Sequence, residues 1–329
     1  MQTRQLGSLW PVSVLALGGG GTGQLWGETT REEAVATTRL AADLGITLLD
    51  MAPRYGDGEA EDVVGEAFAG RLPDGVRVTT KCLLGDAAPG EIDARLRSSL
   101  EDSLRRMRLE RVGLFFLHSN IVPDDGPLRA HPLAATRMTP VGNYREHVRP
   151  TFEALVAEGK IGAWGITGIG HPDTLIDVLA DAVKPAAIQC IANLLDSAGE
   201  LKFFDGPARP REIIATAVAN QVGVLGIRPV QGGALTAAID RALPPGHGVV
   251  ADFARAAPFR ALCQRLGEDP ALLAHRYALS LDGVDTVVLG VKNREELRGC
   301  AAATALGTLD ADLVAQIDAL RRPGAGADS

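Results

Sequence analysis

Short apolar runs recur along this chain, each separated from the next by a stretch with helical spacing, and that alternation sets the expected architecture. Val12 to Leu17, Ile46 to Leu49, Val76 to Thr80, Val112 to Leu117, Ala163 to Thr167, Ala186 to Cys190, Val224 to Ile227 and Thr286 to Val291 read as strands. Several are apolar at almost every position, as strands covered on both faces are. Helices are expected at Arg31 to Leu44, Glu59 to Phe68, Pro89 to Met107, Val148 to Glu158, Pro172 to Ala182, Arg211 to Asn220, Ala271 to Leu281, Arg294 to Ala303 and Leu309 to Leu320. In the third, Ile92, Leu96, Leu100, Leu104 and Met107 fall on one face with arginines opposite. Strand, helix, strand, helix implies right-handed crossovers and a parallel sheet. Eight such strands without a linker of domain-boundary composition predict an α/β fold, a single (β/α)8 TIM barrel over residues 1–322 with a disordered tail at 323–329. Ser119 to Tyr144 and Leu235 to Phe259 show no period and are expected as long loops at the C-terminal face.

All strands of such a barrel point one way, so residues just after them meet on one rim. Three successive strands end in Asp50, Lys81 and His118, and Tyr55 lies in the turn before Gly56 and Gly58. Taken alone, Asp50 could cap the next element and Tyr55 could pack against its loop. Together the four suggest chemistry. Bringing a phenol from about 10 toward 7 takes roughly 4 kcal/mol of preferential stabilisation of the phenolate. A lysine cation beside the phenol contributes to that, and a carboxylate keeps the lysine charged and in place. A histidine across from the phenol can donate to a substrate oxygen, so the set suits protonating a carbonyl while hydride arrives from elsewhere.

Gly18, Gly20 and Gly23 match the G-x-G-x-x-G fingerprint of doubly wound dinucleotide-binding folds, which carries a Rossmann dehydrogenase as a rival reading. That fingerprint needs a helix opening within it, whereas Gln24 to Gly27 intervene and the capping box Thr30-x-x-Glu33 starts a helix later. The run therefore reads as a flexible turn above the first strand.

A net charge of -8 argues against a nucleic-acid footprint or an anionic membrane surface, leaving small molecules as the expected partners. The cysteines, Cys82, Cys190, Cys263 and Cys300, are scattered without metal-ligand spacing, so neither a metal site nor a disulfide framework is expected. No run has the length of a membrane span or the form of a secretory leader, and the expected location is the cytoplasm.

LDMAPRYGDGEAED, the Thr79 to Lys81 triplet and FFLHSN at Phe115 to Asn120 resemble the catalytic signatures of the aldo-keto reductases, and the resemblance runs over nearly the whole chain. It implies a TIM barrel that binds NADP(H) in extended form, with NAD(H) as the alternative. It further implies Tyr55 as general acid or base, supported by Asp50, Lys81 and His118. Gly21 and Thr22 would lie near the cofactor, as would Asp50 and Thr167, and Gln189 would hydrogen-bond the nicotinamide carboxamide. Arg228, Val230 and Gly232 resemble the segment along the pyrophosphate. Lys292 and Asn293, with Glu296, resemble the motif that grips the adenosine 2′-phosphate, where Arg294 could serve instead of Lys292.

Departures accompany the likeness: Thr167-Gly168 stands where the family commonly has Ser-Asn, Glu296 and then Gly299-Cys300 where it has Gln and then Glu-Asn, a change that bears on adenine binding and NADP preference, and Met51 where it has a small hydroxyl residue. The APRYG arrangement is similar to that of members that oxidise aldoses, so hydride could run from sugar to cofactor. Other members of the fold are cofactor sensors attached to larger partners, a second reading in which the Ser119 to Tyr144 loop would dock a protein. Arg54 reads equally as an anion contact or an exposed salt bridge, while Trp26 and His247 read as packing or surface.

Overall fold

The computed structural model describes residues 1–321. The expectation for 323–329 lies outside the described residues. Eight parallel strands close a barrel: β1 Leu15–Gly18, β2 Leu48–Asp50, β3 Arg77–Cys82, β4 Val112–Leu117, β5 Ile161–Thr167, β6 Ala187–Ile191, β7 Gly223–Ile227 and β8 Thr286–Leu289. Closure comes from β8 pairing with β1, Val287 opposite Leu15 and Leu289 opposite Leu17. The doubly wound alternative is thereby overturned.

The strands read as continuous apolar runs because each buries both faces. Ala16, Leu48, Leu114, Phe116, Ala187, Leu225 and Val288 fill the barrel interior, while their neighbours Leu15, Leu49, Phe115, Ile188, Val224 and Val287 pack outward in a separate cluster with the helices. The period of two in a strand makes this division automatic. A hairpin of Thr3–Gln5 with Pro11–Ser13 adds Leu6 and Val12 to the interior cluster. The expected strand Val12 to Leu17 is thus two strands, one in this hairpin and one in the barrel.

Crossovers run through α1 Arg31–Asp43, α2 Glu59–Phe68, α3 Ile92–Met107, α4 Arg149–Ala157, α5 Pro172–Ala180, α6 Pro210–Ala219 and α7 Pro270–Ser280, and α8 Arg294–Ala305 follows the last strand. The capping box is present, with Thr30 Oγ1 accepting from the Glu33 amide at 3.2 Å. Three expectations need correction. The glycine run is one helical turn, Gly19–Thr22, packed so tightly that a Cβ on Gly21 would lie 1.8 Å from the Val291 carbonyl oxygen. Leu235 to Phe259 contains a helix, Gly248–Arg255, whose two turns are too short for their period to stand out. Ser119 to Tyr144 holds a small parallel ribbon, Asn120–Val122 with Met138–Pro140, in which each strand has only three residues.

Candidate active site

The strand period that fills the barrel also builds the site. Continuing the inward-facing set of each strand toward its C-terminal end leads from Leu48 to Asp50, from Phe116 to His118 and from Ala187 to Gln189. Apolar residues fill the lower barrel, and the same face becomes polar at the top. The chain then turns at Gly56, Asp57 and Gly58, all at positive φ, before α2 begins. Two glycines suit that turn because they lack a Cβ, and it leaves Tyr55 over the barrel mouth.

Lys81 Nζ is the hub. It donates to Asp50 Oδ2 at 2.9 Å, to the Met51 carbonyl at 3.0 Å and to the Tyr55 hydroxyl at 3.0 Å. These use all three ammonium protons. Asp50 Oδ1 accepts from Thr79 Oγ1 at 2.7 Å and from Gln189 Nε2 at 2.6 Å. His118 stands edge-on to Tyr55, with ring centroids 5.9 Å apart and planes at 89°, and its backbone amide is tied to the Cys82 carbonyl at 2.8 Å. Sequence reasoning brought together Asp50, Tyr55, Lys81 and His118 correctly as neighbours.

The electrostatics differ from expectation at the phenol. Burial raises the Tyr55 pKa above its usual value; Lys81 opposes this, and Asp50 adds to it. The lowered phenol pKa anticipated from a neighbouring lysine is not found here, because burial of the phenol, with Asp50 adding to it, outweighs the charge of Lys81. For Lys81, burial favours the neutral amine, but Asp50 and then Tyr55 outweigh it and hold the ammonium above its usual value. Burial first, then the cations Lys81, Arg137 and Arg54, push His118 well below the usual imidazole range. At neutral pH the site therefore holds a protonated phenol, an ammonium and carboxylate pair, and a neutral imidazole.

Beside this relay, Thr167 and Gln189 are opposite one another in the β5 and β6 pairing. The Thr167 hydroxyl is buried without a hydrogen-bond partner. Gln189 commits its amide nitrogen to Asp50, an assignment the acceptor-only carboxylate requires, and keeps its carbonyl oxygen. A hydroxyl and an amide oxygen side by side fit a primary carboxamide, which presents both a donor and an acceptor. On that donor set the residues fit a nicotinamide cofactor.

The other implied cofactor residues are spread along the loops after β1, β7 and β8. Thr22 Oγ1 turns back to the Gly19 carbonyl at 3.3 Å. Arg228, at φ 57°, donates to Gln231 Oε1 at 2.8 Å and pairs with Glu200 at 3.4 Å. Gly232 contributes its carbonyl to Arg241 at 2.8 Å, and Val230 packs partly buried against the core. Asn293 caps α8 by accepting from the Glu296 amide at 2.9 Å. Lys292 Nζ is paired with Asp240 and, at 3.5 Å, with Glu296, while Arg294 is taken up by Glu33. Both candidate phosphate cations thus have carboxylate partners.

Sequence reading missed Asp240, because its loop lacks a period and its partner Lys292 lies 52 positions away. It also missed the buried set around Gln231, whose amide nitrogen donates to Asp252 at 2.7 Å and whose carbonyl oxygen accepts from Asn193 at 3.3 Å. Trp26, expected as packing or surface, stacks under the Arg241 guanidinium at 5.4 Å, and His247 caps the Gly248–Arg255 helix. Among the described residues no cluster of three or more His, Cys, Asp or Glu could hold a metal ion, and no helix is long and apolar enough to cross a membrane.

Residues 14–322 match the model of the Aldo/keto reductase family. The chain is 24% identical to L-galactose dehydrogenase of Arabidopsis thaliana over 318 residues, covering 95% of this chain and 91% of that one. It is likewise 24% identical to the NADH-specific methylglyoxal reductase of Escherichia coli (strain K12), covering 89% of each. The holo form of aldo-keto reductase AKR11C1 from Bacillus halodurans superimposes with a TM-score of 0.70 at 23% identity, over 98% of this chain and 97% of that one. This last likeness concerns the fold.

Proposed function

The chain belongs to the aldo/keto reductase family, and on that premise we propose that it is an NADP(H)-dependent oxidoreductase interconverting a carbonyl and an alcohol, with Tyr55 moving the proton. The substrate is an aldehyde, a ketone or a sugar. The observation that carries this reading is Lys81 Nζ at 3.0 Å from the Tyr55 hydroxyl while it is held at 2.9 Å by Asp50.

When bound, a nicotinamide would supply hydride for the carbonyl carbon or take it up from the alcohol carbon. Tyr55 gives its hydroxyl proton to the carbonyl oxygen as charge develops there. Lys81 already donates to the phenol oxygen, so it stabilises the phenolate left behind without reorganisation. Asp50 holds Lys81 charged and fixes its position. The neutral His118 still carries one N–H and directs it at the same substrate oxygen, orienting the carbonyl toward Tyr55. In the reverse direction Tyr55, as phenolate, takes the alcohol proton.

Thr167 and Gln189 would hold the carboxamide, with Gly21, Thr22, Arg228, Val230 and Gly232 along the rest of the cofactor. The assignment to NADP(H) rests on Lys292, assisted by Asn293 and by Glu296 behind it, and a 2′-phosphate must take Lys292 from Asp240. NAD(H) is the alternative, and a relative of similar overall identity is named for NADH. The direction follows the cell's supply; the dehydrogenase among the relatives favours oxidation of a sugar.

The test is the change in reduced-nicotinamide absorbance with NADPH and with NADH against aldehydes, ketones and aldoses. Turnover of at least one class, faster with NADPH at equal concentration, is the expected result. Tight cofactor binding with no turnover on any carbonyl would instead favour a cofactor-sensing subunit.

A further inference from the structure

Arg54 and Arg137 come from two different segments at the C-terminal face, the turn after β2 and the short helix Ala134–Arg137. Arg54 directly precedes Tyr55, and with Pro53 and Cys82 to Leu84 it lines a cleft of about 470 Å³ at the C-terminal end of β3. The rim of that cleft joins the site through the hydrogen bond from the His118 amide to the Cys82 carbonyl. Arg137 immediately precedes the ribbon strand Met138–Pro140, which pairs Met138 with Asn120, two residues after His118. Arg54 and Arg137 thus stand on segments that flank His118, one beside Cys82 and the other beside Asn120, and both charges act on its imidazole.

Neither guanidinium is paired with a carboxylate among the described residues, unlike the cations around them. The other arginine of the cleft, Arg95, is taken up by Glu91 at 2.7 Å. Lys81 is neutralised by Asp50, and Arg241 and Lys292 across the mouth share Asp240. Positive charge is thus compensated where the cofactor would lie and left uncompensated beside Tyr55 and His118. A neutral sugar or simple aldehyde draws no benefit from that imbalance. An anion does, through charge-assisted hydrogen bonds to guanidinium and through attraction on approach.

We propose that Arg54 and Arg137 recognise a carboxylate or phosphate on the substrate, making an anionic carbonyl compound, or its alcohol, the preferred substrate. This rests on the oxidoreductase reading above and adds a substrate class to it.

Matched pairs test it: succinic semialdehyde against butanal for a carboxylate, and glyceraldehyde 3-phosphate against glyceraldehyde for a phosphate. In at least one pair kcat/KM favours the anion by tenfold or more, carried by a lower KM, and the responding pair identifies the group. In the Arg54→Gln, Arg137→Gln double variant that ratio falls at least tenfold, and lysine at both positions restores part of it. A wild-type ratio at or below one in both pairs, or a ratio unchanged in the double variant, overturns the proposal. Absence of turnover on all four compounds leaves the oxidoreductase reading to the wider panel of aldehydes, ketones and aldoses, and the anion site to a binding measurement. Calorimetric titration with succinate and with inorganic phosphate then decides the anion site: binding lost in the double variant upholds it, and binding absent or unchanged overturns it.

Discussion

Gln189 donates its side-chain amide to Asp50 Oδ1 at 2.6 Å, joining the residue opposite Thr167 to the carboxylate that holds Lys81. One side chain thereby connects the carboxamide subsite with the proton relay. Gln189→Leu leaves Asp50 Oδ1 with Thr79 alone, which costs about 1–3 kcal/mol for a buried charged acceptor that loses a partner. Urea unfolding should show that loss, and nicotinamide affinity should fall with it. Unchanged stability and affinity would mean that the bond between the two residues matters to neither.

Thr167 provides the complementary case. Its buried hydroxyl has no partner, so Thr167→Val removes an unsatisfied group with little change of shape. Stability of the cofactor-free protein is expected to hold or rise by about 1 kcal/mol. Cofactor affinity should fall about fivefold to tenfold, equivalent to one neutral hydrogen bond of about 1 kcal/mol. A parallel loss of stability without cofactor would show that the hydroxyl serves the fold instead.

Lys81 and Asp50 form an ion pair with side chains 0% and 3% exposed. Removing one partner from such a pair costs about 3–5 kcal/mol, because the other charge remains buried. For Lys81→Met the lower end of that range is expected, since Thr79 and Gln189 still donate to Asp50. Adding Asp50→Asn should recover part of the loss. A double variant no more stable than Lys81→Met would rule out the stranded carboxylate as its cause.

The pH dependence of stability follows from His118 and His275. Both have pKa values lowered primarily by burial, further lowered at His118 by Lys81, Arg137 and Arg54, whereas at His275 the Ala271 carbonyl and Asp269 partly oppose it. The unfolded chain, with imidazoles near 6.5, binds more protons than the folded one in mildly acidic solution. Their contribution is complete above about pH 6.5 and is lost as pH falls through the folded values. The urea midpoint should decline from pH 7 to 5, and His118→Gln should flatten that decline. An equal slope in the variant would exclude His118 as a source.

Much of the barrel was legible because its strands are compact apolar runs and its long helices carry a helical period. Asp50, Lys81 and His118 could be brought together from sequence because strand ends in a parallel barrel share a rim. The exceptions have local causes. Val12 and Leu15 read as one run yet belong to separate strands, since the break falls at the apolar Val14 and the single serine before it, Ser13, does not mark a turn. The pairing of Lys292 with Asp240 joins two loops, and no spacing rule links them. The raised pKa of Tyr55 depends on how far burial outweighs a cation already engaged by Asp50, a balance set by three-dimensional packing.

The central claim is that Tyr55 carries the proton. Its most direct test is single-turnover reduction of an accepted carbonyl by wild type and Tyr55→Phe, with cofactor affinity measured on the same samples. The phenylalanine variant should bind cofactor within about twofold and lose about a thousandfold or more in the rate of reduction, because general acid catalysis contributes about 10²–10⁴ and the substrate oxygen also loses its partner. Near-normal reduction by Tyr55→Phe, with cofactor bound, would contradict the account.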